Sequence, residues 1–406
     1  MPTLLTAPPI RRFARPPMAI LVAITSLSPL SIQIFVPAMP AAAADLGATP
    51  GAIQLTVTLY LFAVALGQLV YGPLSDRFGR RPVLLLGLLV YVTAAVFAAL
   101  AASAGALIAA RVFQALGACS GMVLGRAMVR DGSTVTESAR RLALLSFALS
   151  VAPAAAPVIG GYISAWVGWR GVFAVLAGCG AAVLSASLLV LPESNQARID
   201  RIDVGSMIRT YASLLRSRLF VAFTICGTFN TASFYGFVSA SPFLLTDMLR
   251  QSQEAIGVYY MIIIGSYAFG SMISGRLAGR ISGLRAMVIG TAINLASMLG
   301  LFIAAHADAV TVLALIGPVA LLNVAAGILV PFAISGAIGT NPTTIGAAAG
   351  LYGSIHMAYG GICTLLAGSW HDGTARPVAT IMFVSVLIAA GALIVVTRPQ
   401  RPPPGT

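Results

Sequence analysis

The chain alternates between long apolar stretches and short polar connections. About twelve apolar stretches, each close to the ~20 residues that a helix needs to cross a bilayer, lie near residues 18–39, 52–73, 83–102, 106–128, 142–163, 170–191, 219–241, 256–277, 286–305, 310–333, 344–368 and 377–397. A barrel strand would be shorter and would alternate polar with apolar residues. Because lipid offers the backbone no hydrogen-bonding partner, spans of this length must be helices. The pattern therefore predicts an all-α membrane protein.

The apolar pattern occurs twice. Residues 35–40 and 237–242 share the sequence Phe-Val-x-Ala-x-Pro, and an aspartate, Asp45 or Asp247, follows each copy five residues later. An internal duplication of this kind predicts twelve transmembrane helices in two pseudo-symmetric bundles of six. We expect these bundles at residues 18–191 and 219–397, with a cytoplasmic linker at 192–218 and cytoplasmic tails at 1–17 and 398–406.

Composition and arginine placement strengthen the membrane assignment and orient it. Hydrophobic residues make up 58% of the chain and charged residues 9%, whereas soluble domains carry about 25% charged residues. All 24 basic residues are arginines, and 20 of them fall in alternate connections or tails on one side of the predicted membrane. The positive-inside rule then places both termini in the cytoplasm and predicts a multi-pass membrane protein.

Several functional classes lack support in the sequence. The net charge of +13 is spread over short loops rather than gathered on one face, which argues against a nucleic-acid partner. The chain contains no paired carboxylates, no His-Glu-x-x-His, no phosphate loop and no serine elbow, so we predict no enzymatic activity. The four cysteines lie within apolar stretches without metal-ligand spacing, and we expect neither a metal nor a cofactor.

The connection between the second and third stretches has the features of a gate. It reads Gly-Pro-Leu-Ser-Asp-Arg-Phe-Gly-Arg-Arg-Pro over residues 72–82. Asp76 would face the positive end of the eleventh helix at Asn341-Pro342 when the cytoplasmic side closes, and so act as a latch. The alternative is a loop whose arginines only set the topology. The residues predicted to act in the gate are Gly72, Asp76, Arg77, Gly79, Arg80, Arg81, Arg130 and Asp131.

Further motifs lie in the fourth to sixth stretches. The fourth reads Arg-Val-Phe-Gln-Ala-Leu-Gly over residues 111–117 and Arg-Ala-Met-Val-Arg-Asp over 126–131, and Leu-Pro-Glu closes the sixth at 191–193. In the fifth, Pro153 and Pro157 are expected to bend the helix, while Gly160 and Gly161 would allow a close crossing with the other half.

Together these motifs resemble the major facilitator superfamily over essentially the whole chain and, within it, the Bcr/CflA branch of drug:proton antiporters. The resemblance implies efflux of small, mostly hydrophobic antibacterial compounds in exchange for protons, by two halves that rock about a central site. It also implies three partners, namely a small-molecule substrate, protons as counter-ion and the lipid bilayer. The protein is expected to be a monomer.

One position departs from the branch. Its members commonly carry an aspartate in the first helix where this chain has Gln33, and none of the 11 acidic residues falls in the predicted bilayer core. Two ionisable residues remain inside, Arg111 and His356. Arg111 would hold Gln33 and Gln114 or bind an anionic part of a substrate, and the alternative is a structural role.

His356 is the second candidate for proton coupling. Tyr352 and Tyr359 share its helical face, and a histidine exchanges protons in the physiological range. The alternative is a neutral histidine satisfied by a neighbouring hydroxyl group.

The predicted substrate cavity combines polar and aromatic residues of both halves. Three functions stay open: a drug-efflux antiporter, a metabolite exporter, importer or uniporter (for example of an amino-acid-like compound) without strict proton coupling, and a nontransporting receptor. The candidate lining residues are Gln33, Phe35, Arg111, Asn230, Tyr235, Asn323, Tyr352 and His356.

Overall fold

A computed structural model describes residues 16–131, 137–138, 140–142, 144–145, 155–195, 199, 203–340 and 344–397. These residues form helices and connections without a β-strand, as the sequence predicts. The apolar helices are α1 (Met18–Asp45), α2 (Pro50–Phe78), α3 (Arg80–Ala99), α4 (Ala104–Arg130), α5 (Ala156–Val167), α6 (Trp169–Val190), α7 (Arg218–Met248), α8 (Gln253–Leu277), α9 (Gly283–His306), α10 (Val312–Gly339), α11 (Ile345–Ser369) and α12 (Arg376–Thr397).

Each predicted apolar stretch contains one of these helices. All of them except α5 and α11 have both the length and the apolar composition needed to cross a membrane. Only the part of α5 from Ala156 onward is described, so the count of twelve complete spans stays a prediction. A further amphipathic helix, the linker helix (Val204–Arg216), lies within the segment predicted to join the halves.

The first helix of each half is interrupted near the repeated motif. In α1, helix Met18–Gln33 gives way to a 3-10 turn at Val36–Ala38 before helix Met39–Asp45. In α7, helix Arg218–Thr231 is followed by Phe234–Phe243 and a π-helical turn at Leu244–Met248. In α1, Pro37 lacks the backbone N–H that would continue the helix beyond Gln33.

Local sequence signals set many of the helix ends. Thr49 caps α2, since its hydroxyl accepts a hydrogen bond from the backbone N–H of Ala52 at 3.2 Å. Gly79 adopts a φ of +99° between α2 and α3, a conformation that favours glycine and makes a sharp corner possible. Equivalent side-chain caps begin the other helices at Ser103, Ser217, Ser252, Ser282 and Thr311.

The helices pack as two bundles. In the first, α4 contacts α1, α2 and α3; in the second, α10 contacts α7, α8 and α9. The most extensive contacts between the bundles are those of α2 with α11 and of α5 with α8, and the duplication relates these two pairs to each other. The linker helix contacts α7 and α11.

Candidate functional site

The two ends of the bundle differ, and we name them by their residues. The arginine-rich face lies at Arg80, Arg130 and Arg216, and the opposite face lies at Asp45 and Asp308. At the opposite face the halves meet backbone to backbone. A Cβ atom on Gly161 would lie 2.7 Å from the carbonyl oxygen of Gln253, and one on Gly257 would lie 2.7 Å from that of Pro157. Only glycine permits so close an approach of two helices.

Polar contacts complete this closure. Between α2 and α11, a Cβ atom on Gly51 would lie 2.9 Å from the carbonyl oxygen of Gly368. The Thr364 hydroxyl donates a 2.8 Å hydrogen bond to the Thr58 hydroxyl. Both threonines are buried, so this bond joins the halves away from competing water.

The fifth helix carries part of this closure, with one correction to the prediction. Gly161 does face the other half, and Pro157 contacts it through its carbonyl group. Gly160 instead packs against the carbonyl group of Ile34, in its own half. The interruption of α1 after Gln33 brings that carbonyl group towards α5, and the spacing of the glycines in the sequence could not reveal it. Pro153 lies outside the described residues.

At the arginine-rich face a cavity of about 710 Å³ remains between the halves. It is bounded by α2, α4, the linker helix and the first turns of α11, and its walls include Gln68, Gly72, Pro73, Asp76, Arg80, Val123, Arg126, Arg130, Asp131, Met207, Tyr211, Gly346 and Ala347. Polar and apolar side chains therefore share these walls. Burial raises the pKa of Tyr211, whose phenol stays neutral.

Three of the predicted gate residues, Asp76, Arg80 and Asp131, form a polar network within the first half. Arg80 donates to Asp76 at 2.6 Å and to Asp131 at 3.2 Å. The Ser194 hydroxyl donates to the same Asp131 carboxylate at 2.7 Å. The guanidinium of Arg77 lies 5.0 Å from the Phe78 ring and takes no part in the network.

Glu193 and Asn195, which lie outside the predicted gate, extend this network. The Glu193 carboxylate accepts hydrogen bonds from the backbone N–H groups of Arg80 (3.0 Å) and Arg81 (3.3 Å), at the positive N-terminus of α3. Asn195 donates to the backbone oxygen of Asp76 at 3.0 Å. The first linker residues are thus tied to the gate loop.

The predicted latch on Asp76 stays a prediction. Its proposed partners, Asn341 and Pro342, lie outside the described residues. The first turn of α11 lines the same cavity as Asp76, through Gly346, and the described ion pair of Asp76 is with Arg80.

Arg111 lies in a fully enclosed site within the first half. Its side chain is 0% exposed, and Nη1 donates to Gln114 Oε1 at 2.7 Å and to the Ser31 carbonyl at 3.1 Å. Its guanidinium lies 4.3 Å from the centre of the Tyr60 ring and 5.5 Å from that of Phe35. Such cation–π contacts stabilise a desolvated cation. Its Nε and Nη2 atoms have no hydrogen-bond partner among the described residues.

Gln33 is not joined to this site. The hydrogen bonds described for Arg111 reach Gln114 and Ser31 but not Gln33, whose half-buried side chain leaves Oε1 unpartnered. The expectation that Arg111 holds both glutamines is therefore met only at Gln114. Tyr60, which the sequence did not single out, is the ring closest to Arg111.

His356 lies in the second half beside two of the predicted lining residues. Its ring centre is 6.2 Å from that of Tyr235 and 6.4 Å from that of Tyr352. Its Nδ1 lies 3.5 Å from the Thr231 hydroxyl. A neighbouring hydroxyl group of this kind is what the alternative role, a neutral histidine, requires. Tyr359 turns elsewhere, since its hydroxyl bonds to Ser385 at 2.7 Å.

Two predicted lining residues lie apart from this group. Asn230 is fully buried, and its amide donates to the Cys226 carbonyl at 2.8 Å and to the Thr291 hydroxyl at 3.1 Å. Asn323 donates to the Val319 carbonyl at 2.9 Å, within its own helix. These contacts pair the Asn230 amide and one donor of Asn323 within the second half, and the lining role of both residues stays a prediction.

Known proteins match the chain in sequence and in fold. The Major Facilitator Superfamily profile matches residues 21–364. The chain is 31% identical over 388 residues to the uncharacterized MFS-type transporter YdgK of Bacillus subtilis, covering 92% of this chain and 93% of that protein. It is 29% identical to a chloramphenicol resistance protein of Pseudomonas aeruginosa, covering 90% and 87% of the two chains. It is 26% identical to a bicyclomycin resistance protein homolog of Haemophilus influenzae, covering 92% and 94%.

Among solved structures, a D-xylose-proton symporter superposes with a TM-score of 0.72 at 13% identity, covering 94% of this chain and 96% of that one. That likeness concerns the fold alone, whereas the sequence matches extend over nearly the full length of each relative. The chain belongs to the major facilitator superfamily and, with its drug-resistance relatives, to the Bcr/CflA-like branch, and it is a transporter rather than an enzyme.

Proposed function

We propose that the chain exports small, mostly hydrophobic antibacterial compounds across the bacterial inner membrane by alternating access, in exchange for protons. The observation that carries the proposal is the difference between the two faces. Glycine contacts join the halves at the opposite face, and a cavity of about 710 Å³ separates them at the arginine-rich face. This is the arrangement expected of one state of a rocking transporter.

The proposed orientation places the cavity on the cytoplasmic side. The positive-inside rule assigns the arginine-rich face to the cytoplasm, so the cavity would receive compounds from inside the cell. Drug-resistance names among the relatives support an exported antibacterial compound. The bundle is self-contained, and we propose that it works as a monomer.

His356 is the proposed proton carrier. It is half-buried between α7 and α11, it can take up and release a proton, and the predicted bilayer core holds no carboxylate that could replace it. Arg111 is the second candidate, but a guanidinium stays protonated. We assign it the role of a fixed charge rather than that of a carrier.

Uptake into everted membrane vesicles tests the proposal. With the vesicle lumen acidified, vesicles containing the protein should accumulate chloramphenicol or bicyclomycin above the level of empty membranes. Dissipating the pH gradient should abolish the accumulation. Uptake that ignores the gradient would remove proton exchange, and the absence of any uptake would remove export of these compounds.

A histidine substitution tests the carrier. His356→Gln should lose gradient-driven uptake and keep counterflow exchange, because exchange needs no net proton transfer. His306→Gln is the matched control, since His306 is exposed at the end of α9. An unchanged pH dependence in His356→Gln would refute the role.

The missing carboxylate favours a second candidate function, the transport of a small cellular metabolite without strict proton coupling. In that case net uptake of an amino-acid-like compound would proceed at equal rates with and without a gradient. Wild-type vesicles with and without the gradient separate the two functions.

A further inference from the structure

The cavity at the arginine-rich face has an uneven balance of charges. Its acidic side chains are all occupied: Asp76 and Asp131 bind Arg80, and Asp203 caps the linker helix and lies 3.7 Å from Arg209. Two cationic side chains in its walls, Arg126 and Arg130, form no ion pair with an acid among the described residues. Among the described residues, the charged side chains left without an opposite charge in this cavity are therefore cationic.

The two arginines without an ion pair among the described residues lie close together, so the excess positive charge is concentrated in one part of the cavity. They are four residues apart on α4, so they share one face of the helix, and both side chains are exposed to the cavity. Like charges at this spacing repel, and an anion between them would remove that cost.

A third group points to the same ligand. Gln68 lines the cavity and is 8% exposed, and its amide Nε2 has no hydrogen-bond partner among the residues that the structure describes. A buried amide without a partner carries a desolvation cost that a ligand oxygen would offset. The first turn of α11, the positive end of that helix, lines the cavity as well through Gly346 and Ala347.

We propose that Arg126, Arg130 and Gln68 form a binding site for the anionic group of an amphipathic organic compound. The guanidinium groups bind the charge, the Gln68 amide donates to an anion oxygen, and Pro73, Val123 and Met207 contact the apolar part of the ligand. This assignment rests on the proposed function, because it makes amphipathic anions a class of exported substrate. An anionic lipid headgroup offers the same chemistry.

Equilibrium binding tests the site without requiring transport. The probes are 1-naphthoate and its neutral analogue 1-naphthamide, and the full chain is held in nanodiscs of phosphatidylcholine. Calorimetry should detect naphthoate binding that weakens when the salt is raised to about 0.5 M, and much weaker binding of naphthamide.

Substitutions localise the site. Arg126→Gln should weaken naphthoate binding about tenfold, Arg126→Lys should restore most of it, and Gln68→Leu should weaken it less than Arg126→Gln does. Arg285→Gln is the matched control, because Arg285 is exposed at the start of α9 and is not among the described residues that line the cavity.

The results separate this site from the export proposal. Equal binding of the two probes, or unchanged naphthoate binding in Arg126→Gln, would overturn the site whatever the vesicles transport. Naphthoate binding that phosphatidylglycerol in the nanodisc displaces, in an Arg126-dependent way, would support the site and identify a headgroup as its occupant. Failure of drug uptake with this binding intact would remove the export proposal alone.

Discussion

The two faces of the molecule are held together by different kinds of contact. At the opposite face, backbone contacts at Gly161 and Gly257 and the Thr58–Thr364 hydrogen bond cross from one half to the other. At the arginine-rich face, the ion pairs of Asp76, Arg80 and Asp131 stay inside the first half. Among the described residues, no hydrogen bond at that face joins the two bundles directly.

This difference distinguishes contacts that stabilise the fold of one half from contacts between the halves that stabilise one conformational state. Contacts within a half persist as the halves rock, so breaking them should destabilise the protein in every state. Contacts between halves exist only while one face is closed, so breaking them should shift the balance of states. The predictions below test that division.

The largest effect on stability is expected at Gly160, a contact within one half. An alanine there would collide with the backbone carbonyl of Ile34, and overpacking of this kind costs about 1–3 kcal/mol. Gly160→Ala should lower the melting temperature measured by fluorescence-detected size exclusion. Gly178→Ala is the control, because a Cβ atom there meets nothing within 4 Å. Equal melting temperatures of the two variants would contradict the assignment.

Gly161 should respond differently, since its neighbour Gln253 belongs to the other half. In Gly161→Ala the halves can separate at the opposite face instead of straining either bundle. A reporter cysteine at Ser239, which is 0% exposed and lies near Gln54 across the interface, should then react faster with a membrane-impermeant thiol reagent added on that face.

The reporter requires a background in which the native cysteines are replaced, and Gly178→Ala again serves as the control. A large loss of stability in Gly161→Ala without faster labelling would mean that this contact acts like one within a half.

Thr364→Val should have a smaller effect in the same direction. It removes one buried hydrogen bond to Thr58, worth about 1 kcal/mol, which corresponds to about a fivefold shift in the balance of states. Labelling of the Ser239 cysteine should rise by that factor or less. The control is Thr93→Val, at an exposed site on α3, which should leave labelling unchanged. Unchanged labelling in Thr364→Val would mean that this hydrogen bond does not contribute to closure.

The smallest effect is expected for Asp131→Asn. This change weakens the pairing with Arg80, which is partly exposed to solvent, so the loss of stability should be about 0.5–1 kcal/mol. Because the pair lies within one half, labelling of the Ser239 cysteine should not change. Faster labelling in Asp131→Asn would show that the network does tie the halves together.

The sequence predicts the framework well for physical reasons. Apolar length and arginine placement report directly on the bilayer. The repeated motif lies at the interruption of α1 and shortly after that of α7. Inside lipid, the backbone N–H and C=O groups of a helix must bond to each other, so a membrane-spanning helix can be predicted from its own sequence without knowledge of its neighbours.

The site is less predictable because it depends on how each helix is rotated and where it bends. Asn230 and Tyr235 are predicted lining residues because both are polar or aromatic residues of α7. In the structure the Asn230 amide contacts Thr291, whereas the Tyr235 ring lies beside His356. Gly160 meets Ile34 because α1 ends regular winding at Gln33. Contacts of this kind depend on how two helices are placed relative to each other, and the residue pattern of one apolar stretch does not contain that information.

The most direct test of alternating access measures both faces in one experiment. Spin labels at Arg77 and Arg285 report the distance between the halves at the arginine-rich face, and labels at Ala102 and Ala307 report it at the opposite face, all four sites being exposed. Double electron–electron resonance in nanodiscs would compare the wild-type protein with Gly161→Ala. The account predicts that the variant lengthens the opposite-face distance and shortens the arginine-rich one, whereas a change at one face with the other fixed, or lengthening at both, would contradict it.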